Sequence, residues 1–488
     1  ICILAWIACG LLALTPTDLY SPGFQLSLGL TGALFWTSRS FMNRLFFAQL
    51  RGTIRYRERR ITDQIAGFIK EAITANIICW LLSLPLLVFH FGWISPFAIL
   101  ISLLITPLFV MMLWIGYVSL VLGMIFPPLA APASLVLSLL ASNATELVVW
   151  IDQLPTAWLF VPRVSLFWTF AATLSIMAML RWAGRIRVDS LKSSLSIALV
   201  SLCTFWLLVE WSMTSRLHRD VRFRIDMLDV ADGTCLLIRN DSHTVLWDCG
   251  SLNAAGSRSL ILSAARNLGI HTISDAVITH PDIDHFGSLL DLCEPFKIRR
   301  VFVPQRFLQD AQENPDGASS MAIDALKIRG VHVQAAAQWD TISFHDVKLT
   351  FLSPPSAHKS QSWTKDNDHS LVGLWTLADK SQTQLALTTG DIESDAISHM
   401  VSAYPDLKPI IVEAPHHGAF KEQAAAWLED LEPAIVLQST GLRRINHPGW
   451  QLSRDRSRWL VTAIDGACSV EIDRAGNIRA NTFRKHVD

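Results

Sequence analysis

A short segment in the second half of the chain concentrates side chains of the kinds that bind metal ions. Residues 279–287 (THPDIDHFG) hold two imidazoles and two carboxylates within six residues. Imidazole nitrogen and carboxylate oxygen together suit Zn²⁺ or Mn²⁺. The segment follows a short apolar run, so we expect a loop at the carboxyl end of a strand. Alternation along this loop would let His280 and Asp282 reach one ion. Asp284 and His285 would then reach a second.

Two later segments end predicted strands in the same kinds of side chain. Residues 387–391 (LTTGD) finish in Asp391, whose carboxylate could bridge two ions. Residues 411–418 (IVEAPHHG) contain the adjacent His416 and His417. Each pattern is ordinary by itself, but the three in this order indicate a two-metal site. Two divalent ions held close together can clamp a phosphodiester and activate a water molecule, so a metal-dependent hydrolase is expected.

These segments need a scaffold that gathers strand ends, and residues 219–488 have the required pattern. Short apolar runs bounded by Gly, Asn and Asp alternate with helical stretches, as expected for an α/β domain with helix-covered sheets. Strands are predicted at 221–228, 235–239, 244–247, 276–279, 300–303, 349–352, 371–377, 385–388, 410–412, 435–438 and 468–472. Helices are predicted at 260–268, 321–328, 424–428 and near 454–460.

The overall composition does not fit a single soluble domain. Of the 488 residues, 51% are hydrophobic and 17% charged, whereas about 25% charged is usual in soluble domains. This balance excludes a uniformly soluble enzyme and a disordered chain, and the 8 Cys are too few for a disulfide scaffold. The net charge of −1 gives no whole-chain signal for nucleic acid.

Long apolar runs before residue 212 predict a multispanning membrane domain, since a spanning helix needs about 20 mostly apolar residues. Candidate spans lie at 23–38, 70–90, 97–123, 132–150, 164–182 and 194–212. The run at 1–14 is too short to span, and we interpret it as the end of a helix whose upstream part is missing. Buried helices of a large soluble core are the alternative, which the absence of a polar face disfavours. The expected domains are therefore 1–212 and 213–488.

Basic residues set the expected orientation of the spans. The loops 39–60 and 181–192 are rich in Arg and Lys, which predicts that both lie on the cytoplasmic side. One further crossing then places the C-terminal half outside, although four arginines between residues 216 and 224 argue weakly against this. We expect a multipass protein of the inner (cytoplasmic) membrane with an extracytoplasmic C-terminal domain.

The order of motifs in the second half resembles that of a known fold. Asp248 in residues 246–250 (LWDCG), followed by the HxDxDH, TGD and PHHG segments, is similar to the metallo-β-lactamase fold, an αββα sandwich with a two-metal site. The HxDxDH form of the motif, with Asp282 where many relatives carry His, resembles that of the ComEC-type DNA-internalisation proteins of natural transformation. Residues 228–230 (LDV) fit the same family.

The membrane half carries the same resemblance independently. Residues 21–27 (SPGFQLS) are similar to the family's membrane-domain signature. So are residues 84–85 (LP) taken with 91–96 (FGWISP). The resemblance thus covers nearly the whole chain, without the N-terminal soluble domain that the family leads one to expect.

Three motifs depart from the family's patterns. Residues 228–233 read LDVADG where the family has LDVGQG. Residues 416–419 read HHGA in place of HHGS, and 445–448 read INHP in place of YGHP. None of these departures removes an expected ligand, so they concern the positioning of substrate.

The resemblance implies two divalent ions, Mn²⁺ or Zn²⁺, and a set of ligands. The expected ligands are His280, Asp282 and Asp391 for one ion, and Asp284, His285, His417 and Asp391 for the other. His416 could replace His417 as a ligand. Alternatively, it could contact a ligand without binding metal, or have only a packing role. Asp248 is expected to support the site structurally.

Further residues are expected to act on the substrate. Asp284 is expected to serve catalysis as well as metal binding. His447 could bind a phosphate or protonate the leaving oxygen, with a structural role as the alternative. Arg443 and Arg444 could hold a phosphate backbone, or form part of a solvated helix face.

Residues 366–372 resemble a family element near the site. In it, Asn367 or Ser370 is expected to shape the site and to contact substrate rather than bind metal. Among the cysteines, Cys235 and Cys249 lie on neighbouring predicted strands and could pair, with buried free thiols as the alternative.

The resemblance implies a channel that passes single-stranded DNA across the membrane, with an attached nuclease that acts on double-stranded DNA. Expected partners are DNA, membrane lipid, other DNA-uptake proteins and a second copy of the chain. Two alternatives stay open: a channel whose hydrolase-like domain binds DNA without cutting it, and a membrane-tethered phosphodiesterase with another substrate.

Overall fold

The computed structural model divides the chain into two compact units, Ile1–Met213 and Thr214–Asp488. The arginine-rich segments 35–60 and 184–190, on which the predicted orientation depends, lie outside the described residues, as does Asn446 of the INHP motif. The described residues are 2–34, 61–152, 159–161, 163–183, 191–214, 217, 220–241, 243–252, 254–355, 363, 365–379, 381–445 and 447–484.

The first unit is helical. Its longer described helices are α1 (Cys2–Leu14), α2 (Ile61–His90), α3 (Ala98–Ile125), α4 (Pro127–Asp152), α5 (Leu166–Ala183) and α6 (Leu191–Thr214). Two short strands, Trp93–Ile94 and Leu159–Phe160, pair with each other in antiparallel orientation. None of the α3 residues is buried within the unit, so its apolar side chains are available to lipid.

Three of these helices are long and apolar enough to cross a membrane. The qualifying stretches are Ile73–His90, Ala98–Ile125 and Ala130–Ile151, which coincide with the spans predicted at 70–90, 97–123 and 132–150. The spans predicted at 164–182 and 194–212 fall on α5 and α6, whose apolar stretches, Leu166–Leu180 and Ala198–Glu210, are shorter. The span predicted at 23–38 is described only as far as residue 34.

A hydrogen bond joins the segment 21–27, which resembles the family's signature, to the end of α2 just before residues 91–96. Oε1 of Gln25 lies 2.8 Å from Nε2 of His90, at the end of α2. Gln25 also begins a single π-helical turn, Gln25–Gly29, a rare geometry that recurs at functional positions in helices. Polar contacts of this kind fix the packing of helices that have no hydrophobic drive to associate within lipid.

The second unit contains two β-sheets that pack face to face. The first sheet consists of β1 (Val221–Met227), β2 (Leu236–Asn240), β3 (His243–Trp247), β4 (Asp275–Val277), β5 (Arg300–Pro304) and β6 (His332–Ala336), together with the two C-terminal strands given below. The second sheet consists of β7 (Thr341–Phe344), β8 (Val347–Ser353), β9 (Val372–Leu377), β10 (Gln384–Thr388), β11 (Ile411–Glu413), β12 (Ile435–Gln438) and β13 (Arg458–Val461). The C-terminal strands are β14 (Cys468–Asp473) and β15 (Ile478–Thr482).

The strand order shows why the ligand segments can meet. The first sheet runs β15-β14-β1-β2-β3-β4-β5-β6 and the second β13-β12-β11-β10-β9-β8-β7. Pairing is parallel from β3 to β6 and from β10 to β13, and antiparallel elsewhere. Parallel strands end on the same side of a sheet, where open α/β sheets carry their sites.

Helices connect these strands. The described helices of the second unit are α7 (Ala254–Asn267), α8 (Ile283–Phe286), α9 (Leu289–Phe296), α10 (Gln305–Glu313), α11 (Ala318–Ile328), α12 (Ser394–Ala403), α13 (Glu422–Leu431), α14 (Gln451–Arg456) and α15 (Thr462–Asp465). This arrangement confirms the predicted αββα sandwich, which follows the helical membrane domain in the sequence.

The core follows from the alternation of side chains along the strands. Trp247 and Trp375 are fully buried between the sheets, with ring centroids 6.2 Å apart. On β11, Ile411 belongs to this inter-sheet core, whereas the next residue, Val412, packs in a second core with α12 and α13. Successive side chains of a strand point to opposite faces, and both faces of β11 are covered, so Ile411 and Val412 are both apolar.

One predicted helix is partly wrong. The sequence predicts a helix near 454–460, but α14 ends at Arg456 and β13 begins at Arg458. Residues 458–461 pair parallel with residues 435–438 of β12, and Leu460 and Val461 are buried. Pairing with a neighbouring strand therefore overrides the local helical preference.

Candidate metal centre

The proposed ligand segments begin where parallel strands end. β3 ends at Trp247 before Asp248, β4 at Val277 before the 280–285 loop, β10 at Thr388 before Asp391, and β11 at Glu413 before the 416–417 turn. The strand positions thus match the sequence expectation that the ligand segments follow the carboxyl ends of strands.

Four buried side chains form a hydrogen-bonded chain behind the centre. Thr279 donates its backbone N–H to Oδ1 of Asp248 and its hydroxyl to Oδ2, both at 2.8 Å. Nδ1 of His285 lies 2.7 Å from the same Oδ2, and Nδ1 of His280 lies 3.0 Å from the Thr279 hydroxyl oxygen. When these Nδ1 atoms donate, both Nε2 atoms carry lone pairs, as a metal-binding imidazole requires.

His417 is oriented in the same way from the other sheet. Its Nδ1 lies 3.0 Å from the carbonyl oxygen of Ser439, which can only accept, so this nitrogen donates. Its Nε2 lies 3.2 Å from Nε2 of His285. When both rings are neutral, their two Nε2 lone pairs face each other, an arrangement that a shared cation would stabilise.

Asp391 faces both histidines. Its Oδ1 lies 3.2 Å from Nε2 of His285, and its Oδ2 lies 3.4 Å from Nε2 of His417. Oδ2 of Asp284 lies 3.5 Å from the same His417 nitrogen. Asp391 is thus placed between the two histidines, consistent with the bridging position proposed for it.

The candidate ligand atoms form two overlapping groups. In one, His280, His285 and Asp391 offer atoms within 4.8 Å of one another. In the other, Asp284, His285 and His417 do the same. His285 is thus common to both groups, whereas the sequence-based assignment gave it to a single ion and shared only Asp391.

The donor set fits divalent metal. Nε2 of His280 is buried without a hydrogen-bond partner among the described residues, an arrangement that costs about 1–3 kcal/mol unless another ligand satisfies it. Oδ2 of Asp282 lies 3.4 Å from this nitrogen, and the Asp282 side chain is 54% exposed. Asp282 is therefore near enough to contribute a ligand from the solvent side.

Opposite charges dominate the electrostatics of the centre. Burial opposes protonation of His285, but the Asp391 and Asp248 carboxylates hold its pKa well above the usual range. Burial likewise opposes ionisation of Asp391, but His417 and His285 hold its pKa well below the usual range. The carboxylates therefore stabilise positive charge at the place where the imidazole nitrogens converge.

The turn that carries Asp391 is fixed from three directions. Oε2 of Glu413 accepts the N–H groups of Thr389 at 2.8 Å and Gly390 at 3.2 Å. The Gly390 carbonyl accepts the His416 N–H at 3.1 Å. A side chain at Gly390 would put Cβ 2.8 Å from Cβ of Thr279, and its φ is +55°. Burial raises the pKa of Glu413 to about 7.

The 228–234 segment contacts the ligand loop directly. Thr234 donates its N–H to the Asp284 carbonyl at 3.1 Å. Its hydroxyl oxygen lies 3.3 Å from Nδ1 of His417. Ala231, which stands where the family's motif has Gly, takes a left-handed φ of +64° that favours glycine.

His416 and His417 occupy different positions although they are adjacent. Nε2 of His416 lies 3.8 Å from Oδ2 of Asp391, and its side chain is 24% exposed. His417 lies closer to Asp391 and is nearly buried. His417 is therefore the better placed ligand candidate, and His416 lies at the rim of the centre.

His447 lies on a neighbouring surface. Its ring is exposed and stacks on Phe420 with a centroid distance of 4.4 Å. Its Nδ1 accepts the N–H of Gly449 at 3.1 Å, which leaves the proton of a neutral ring on Nε2. Trp450, three residues on, donates its indole N–H to the Gly418 carbonyl at 2.9 Å. The His447 loop is thus tied to the histidine turn.

The predicted substrate-binding residues differ in their exposure and in their contacts. Arg444 donates to the carbonyl of His416 at 3.0 Å, whereas Arg443 is exposed and makes no ion pair among the described residues. Nδ2 of Asn367 lies 3.4 Å from Oε1 of Glu393. Ser370 is buried and donates its hydroxyl to the carbonyl of Asn367 at 2.7 Å, which shapes the turn rather than a surface.

Two acidic residues escaped the sequence analysis. Glu393 follows Asp391 by two residues, and Glu413 stands three residues before His416. Their proximity to the motifs was a usable signal, but carboxylates near strand ends are common. Cys235 and Cys249 are buried free thiols, so the disulfide alternative is wrong for this structure.

Comparisons with known proteins agree with this division. The sequence model of the Competence protein family matches residues 1–186, and that of the metallo-β-lactamase superfamily matches residues 228–308. ComE operon protein 3 of Bacillus subtilis (strain 168) is 22% identical over 463 residues, which covers 90% of this chain and 53% of that protein. The chain thus spans about half the length of this curated relative.

Solved structures are similar to the second unit. YhfI, a metallo-β-lactamase fold protein from Bacillus subtilis, is 8% identical with a TM-score of 0.32, over 49% of this chain and 95% of that one. Unliganded PDE1 from yeast is 14% identical with a TM-score of 0.33, over 49% of this chain and 97% of that one. The chain thus matches the Competence protein family over residues 1–186 and the metallo-β-lactamase superfamily over residues 228–308, in the same order as the motifs that resemble the ComEC-type proteins.

Proposed function

We propose that this protein is a DNA-uptake channel of natural transformation whose C-terminal domain hydrolyses phosphodiesters. The observation that carries the hydrolytic part is the convergence of His280, His285 and His417, each with Nδ1 occupied and Nε2 turned inward, around Asp391. The competence-family match of residues 1–186 supports the channel. The proposal includes the passage of single-stranded DNA through the channel and the cutting of double-stranded DNA by the C-terminal domain.

The chain's own residues prepare the centre. The proposed ligands are the six assigned from the sequence, with His417 favoured over its alternative, His416. Bound divalent ions would supply Lewis-acid stabilisation of the phosphodiester and lower the pKa of an attacking water. Asp248 orients two of the imidazoles through the Thr279 hydroxyl and its own carboxylate, which keeps the nitrogen donors in place during turnover.

His447 is proposed to donate a hydrogen bond to the phosphate or to the leaving oxygen. Its Nδ1 is occupied by the Gly449 N–H, so the neutral ring presents an Nε2–H toward solvent, where a substrate can lie. Stacking on Phe420 fixes the plane of the ring. Arg444 is proposed to hold the phosphate backbone from the same side of the histidine turn.

The proposed setting is the inner membrane, with lipid around the helical unit and the C-terminal domain outside the cytoplasm. DNA, other DNA-uptake proteins and a second copy of the chain are the proposed partners. The exposed apolar surface of α3 supports contact with lipid. Reporter fusions after Trp211 that are active only outside the cytoplasm would support this side, and the opposite pattern would contradict it.

The hydrolytic proposal is tested on the full chain in detergent, loaded with Mn²⁺ or Zn²⁺. We expect cleavage of linear DNA, and loss of both cleavage and bound metal in His285→Ala. His345→Ala, an exposed histidine in the same unit, is the matched control and should retain both. Cleavage without metal, or unchanged metal content in His285→Ala, would overturn the site. Metal binding without any cleavage would favour the DNA-binding alternative.

The channel is tested in cells that lack their own copy of the protein. Full-length protein should restore transformation, and a chain deleted for residues 70–123 should not. Membrane insertion of the deleted chain is checked first by carbonate extraction. Restored transformation with this deletion would contradict a channel role for α2 and α3.

A further inference from the structure

A buried carboxylate beside the metal centre holds two lysines. The side chain of Glu393 is only 10% exposed. It forms an ion pair with Nζ of Lys365, and Nζ of Lys421 lies 3.1 Å from its Oε2. Both lysine side chains are nearly half exposed, at 47% and 43%. The ammonium groups are therefore fixed on one side and open to solvent on the other.

His416 connects this lysine cluster (Lys365, Lys421 and Glu393) to the metal centre. Nδ1 of His416 lies 3.7 Å from Oε1 of Glu393, and its Nε2 lies 3.8 Å from Oδ2 of Asp391. A single imidazole ring thus separates the cluster from a proposed ligand. Such a spacing suits two neighbouring groups on one extended substrate rather than two contacts to a single phosphate.

Cations are concentrated at this rim. Arg444, bonded to the His416 carbonyl, adds a third cation to Lys365 and Lys421. The nearby Asp366 does not offset this charge, because its carboxylate pairs with Arg306 at 2.7 Å. Exposed cations next to the candidate metal centre attract a polyanion.

We propose that Lys365 and Lys421 bind a backbone phosphate adjacent to the phosphodiester held at the metal centre, and so select polynucleotides over isolated phosphodiesters. This inference rests on the proposed function. Each ammonium carries three N–H donors, so a lysine bonded to Glu393 still has donors for a phosphate. Glu393 acts by holding two flexible side chains in place, which lowers the entropy cost of ordering them on binding.

Kinetics with two substrates test the proposal on the metal-loaded full chain. The substrates are bis(p-nitrophenyl) phosphate, which has a single phosphodiester, and a single-stranded oligonucleotide of about 20 nucleotides. For Lys365→Ala/Lys421→Ala, we expect kcat/KM on the oligonucleotide to fall about 10–100-fold, as for loss of two charged hydrogen bonds. On bis(p-nitrophenyl) phosphate, we expect a change of less than about twofold.

Salt dependence provides a second readout. The slope of log kcat/KM for the oligonucleotide against log salt concentration should become shallower by about 0.7 in the double variant, since the two lysines contact one phosphate and each neutralised phosphate on a single strand contributes about 0.7. Lys365→Arg/Lys421→Arg should restore most of the activity on the oligonucleotide. Lys327→Ala, an exposed lysine on α11, is the matched control and should change neither substrate.

Two results would overturn the inference: equal losses on both substrates, which would indicate a structural role for the lysines, or no loss on either. If the wild-type chain hydrolyses neither substrate, the proposed hydrolysis fails but the lysine site remains testable. Fluorescence anisotropy of the labelled oligonucleotide then measures binding with metal present. Weaker binding by the double variant than by Lys327→Ala would support the site, and equal binding would refute it.

Discussion

Nδ1 of His285 lies 2.7 Å from Oδ2 of Asp248, and both side chains are fully buried. The same carboxylate accepts two hydrogen bonds from Thr279. Asp248 itself has a φ of +51°, so the backbone bends sharply where the carboxylate enters the site. One side chain thus sets the orientation of His285 directly and of His280 through a hydroxyl, although it belongs to neither group of candidate ligand atoms.

Asp248→Asn should weaken metal binding without removing a ligand. An amide can replace only one of the carboxylate's acceptor oxygens, so the orientation of His285 is no longer enforced. Changes of this kind cost about 10–100-fold in metal affinity. Competition with a chromophoric chelator measures the affinity. Asp275→Asn, another buried aspartate, is the control, because its carboxylate pairs with Arg300 away from the ligands. Equal affinity in both variants would contradict the role of Asp248.

Glu413→Ala should disorder the turn that carries Asp391. The substitution leaves the N–H groups of Thr389 and Gly390 buried without their acceptor, at about 1–3 kcal/mol each. We expect lower stability in urea and weaker metal binding together. Glu413→Gln keeps one acceptor oxygen and should lose less of both. A variant that is destabilised yet binds metal as the wild type does would show that Glu413 supports the fold but not the centre.

The sequence predicted the parts of the site that lie on strand ends. Apolar runs gave the approximate positions of β3, β4, β10 and β11, and the ligand types follow those strands directly. The order of motifs then identified the fold. These features are predictable from local sequence, because hydrophobic periodicity, turn residues and ligand spacing each depend on only a few neighbouring residues.

Contacts between distant segments were not predictable in this way. Lys365, Glu393 and Lys421 come from three separate elements, and nothing in their local sequence brings them together. The sharing of His285 between two groups of ligand atoms likewise depends on side-chain orientation and not on spacing. The strand at 458–461 was missed because its partner, at 435–438, lies more than twenty residues earlier.

Gly250→Ala should displace the ligand loop. A Cβ at this position would lie 2.2 Å from the carbonyl carbon of Asp284 and 2.3 Å from the amide nitrogen of His285. Because both atoms are backbone, the loop must shift as a whole, at a cost of about 1–3 kcal/mol or more. We expect lower stability in urea and reduced metal content, measured by atomic emission on purified protein.

Gly330→Ala is the control for this substitution. Its Cβ would meet nothing within 4 Å, although its φ of +69° makes it a strained position for alanine. This variant should lose some stability but keep its metal. If Gly250→Ala retains as much metal as Gly330→Ala, the close approach of residue 250 to the ligand loop does not position the ligands.

An ion pair far from the metal centre should make the stability of the second unit depend on pH. Asp346 contacts Nε of Arg222 at 2.7 Å and Nδ2 of Asn240 at 2.8 Å. Burial opposes its ionisation, but these two partners hold the pKa of Asp346 below its usual range. Since the pKa is lower in the folded state, the stabilisation is present above the unfolded value of about 3.9 and is lost as the pH falls through the folded value.

Asp346→Asn should therefore lower the urea midpoint of the second unit at pH 7, and the difference from wild type should shrink at pH 3. Near-ultraviolet circular dichroism follows the buried Trp247 and Trp375, which report on this unit's core. Asp324→Asn, an exposed carboxylate on α11, should change the midpoint little at either pH. A difference between Asp346→Asn and wild type that is the same at pH 7 and pH 3 would mean that the charge of Asp346 does not contribute, and that the amide only disturbs packing around Arg222.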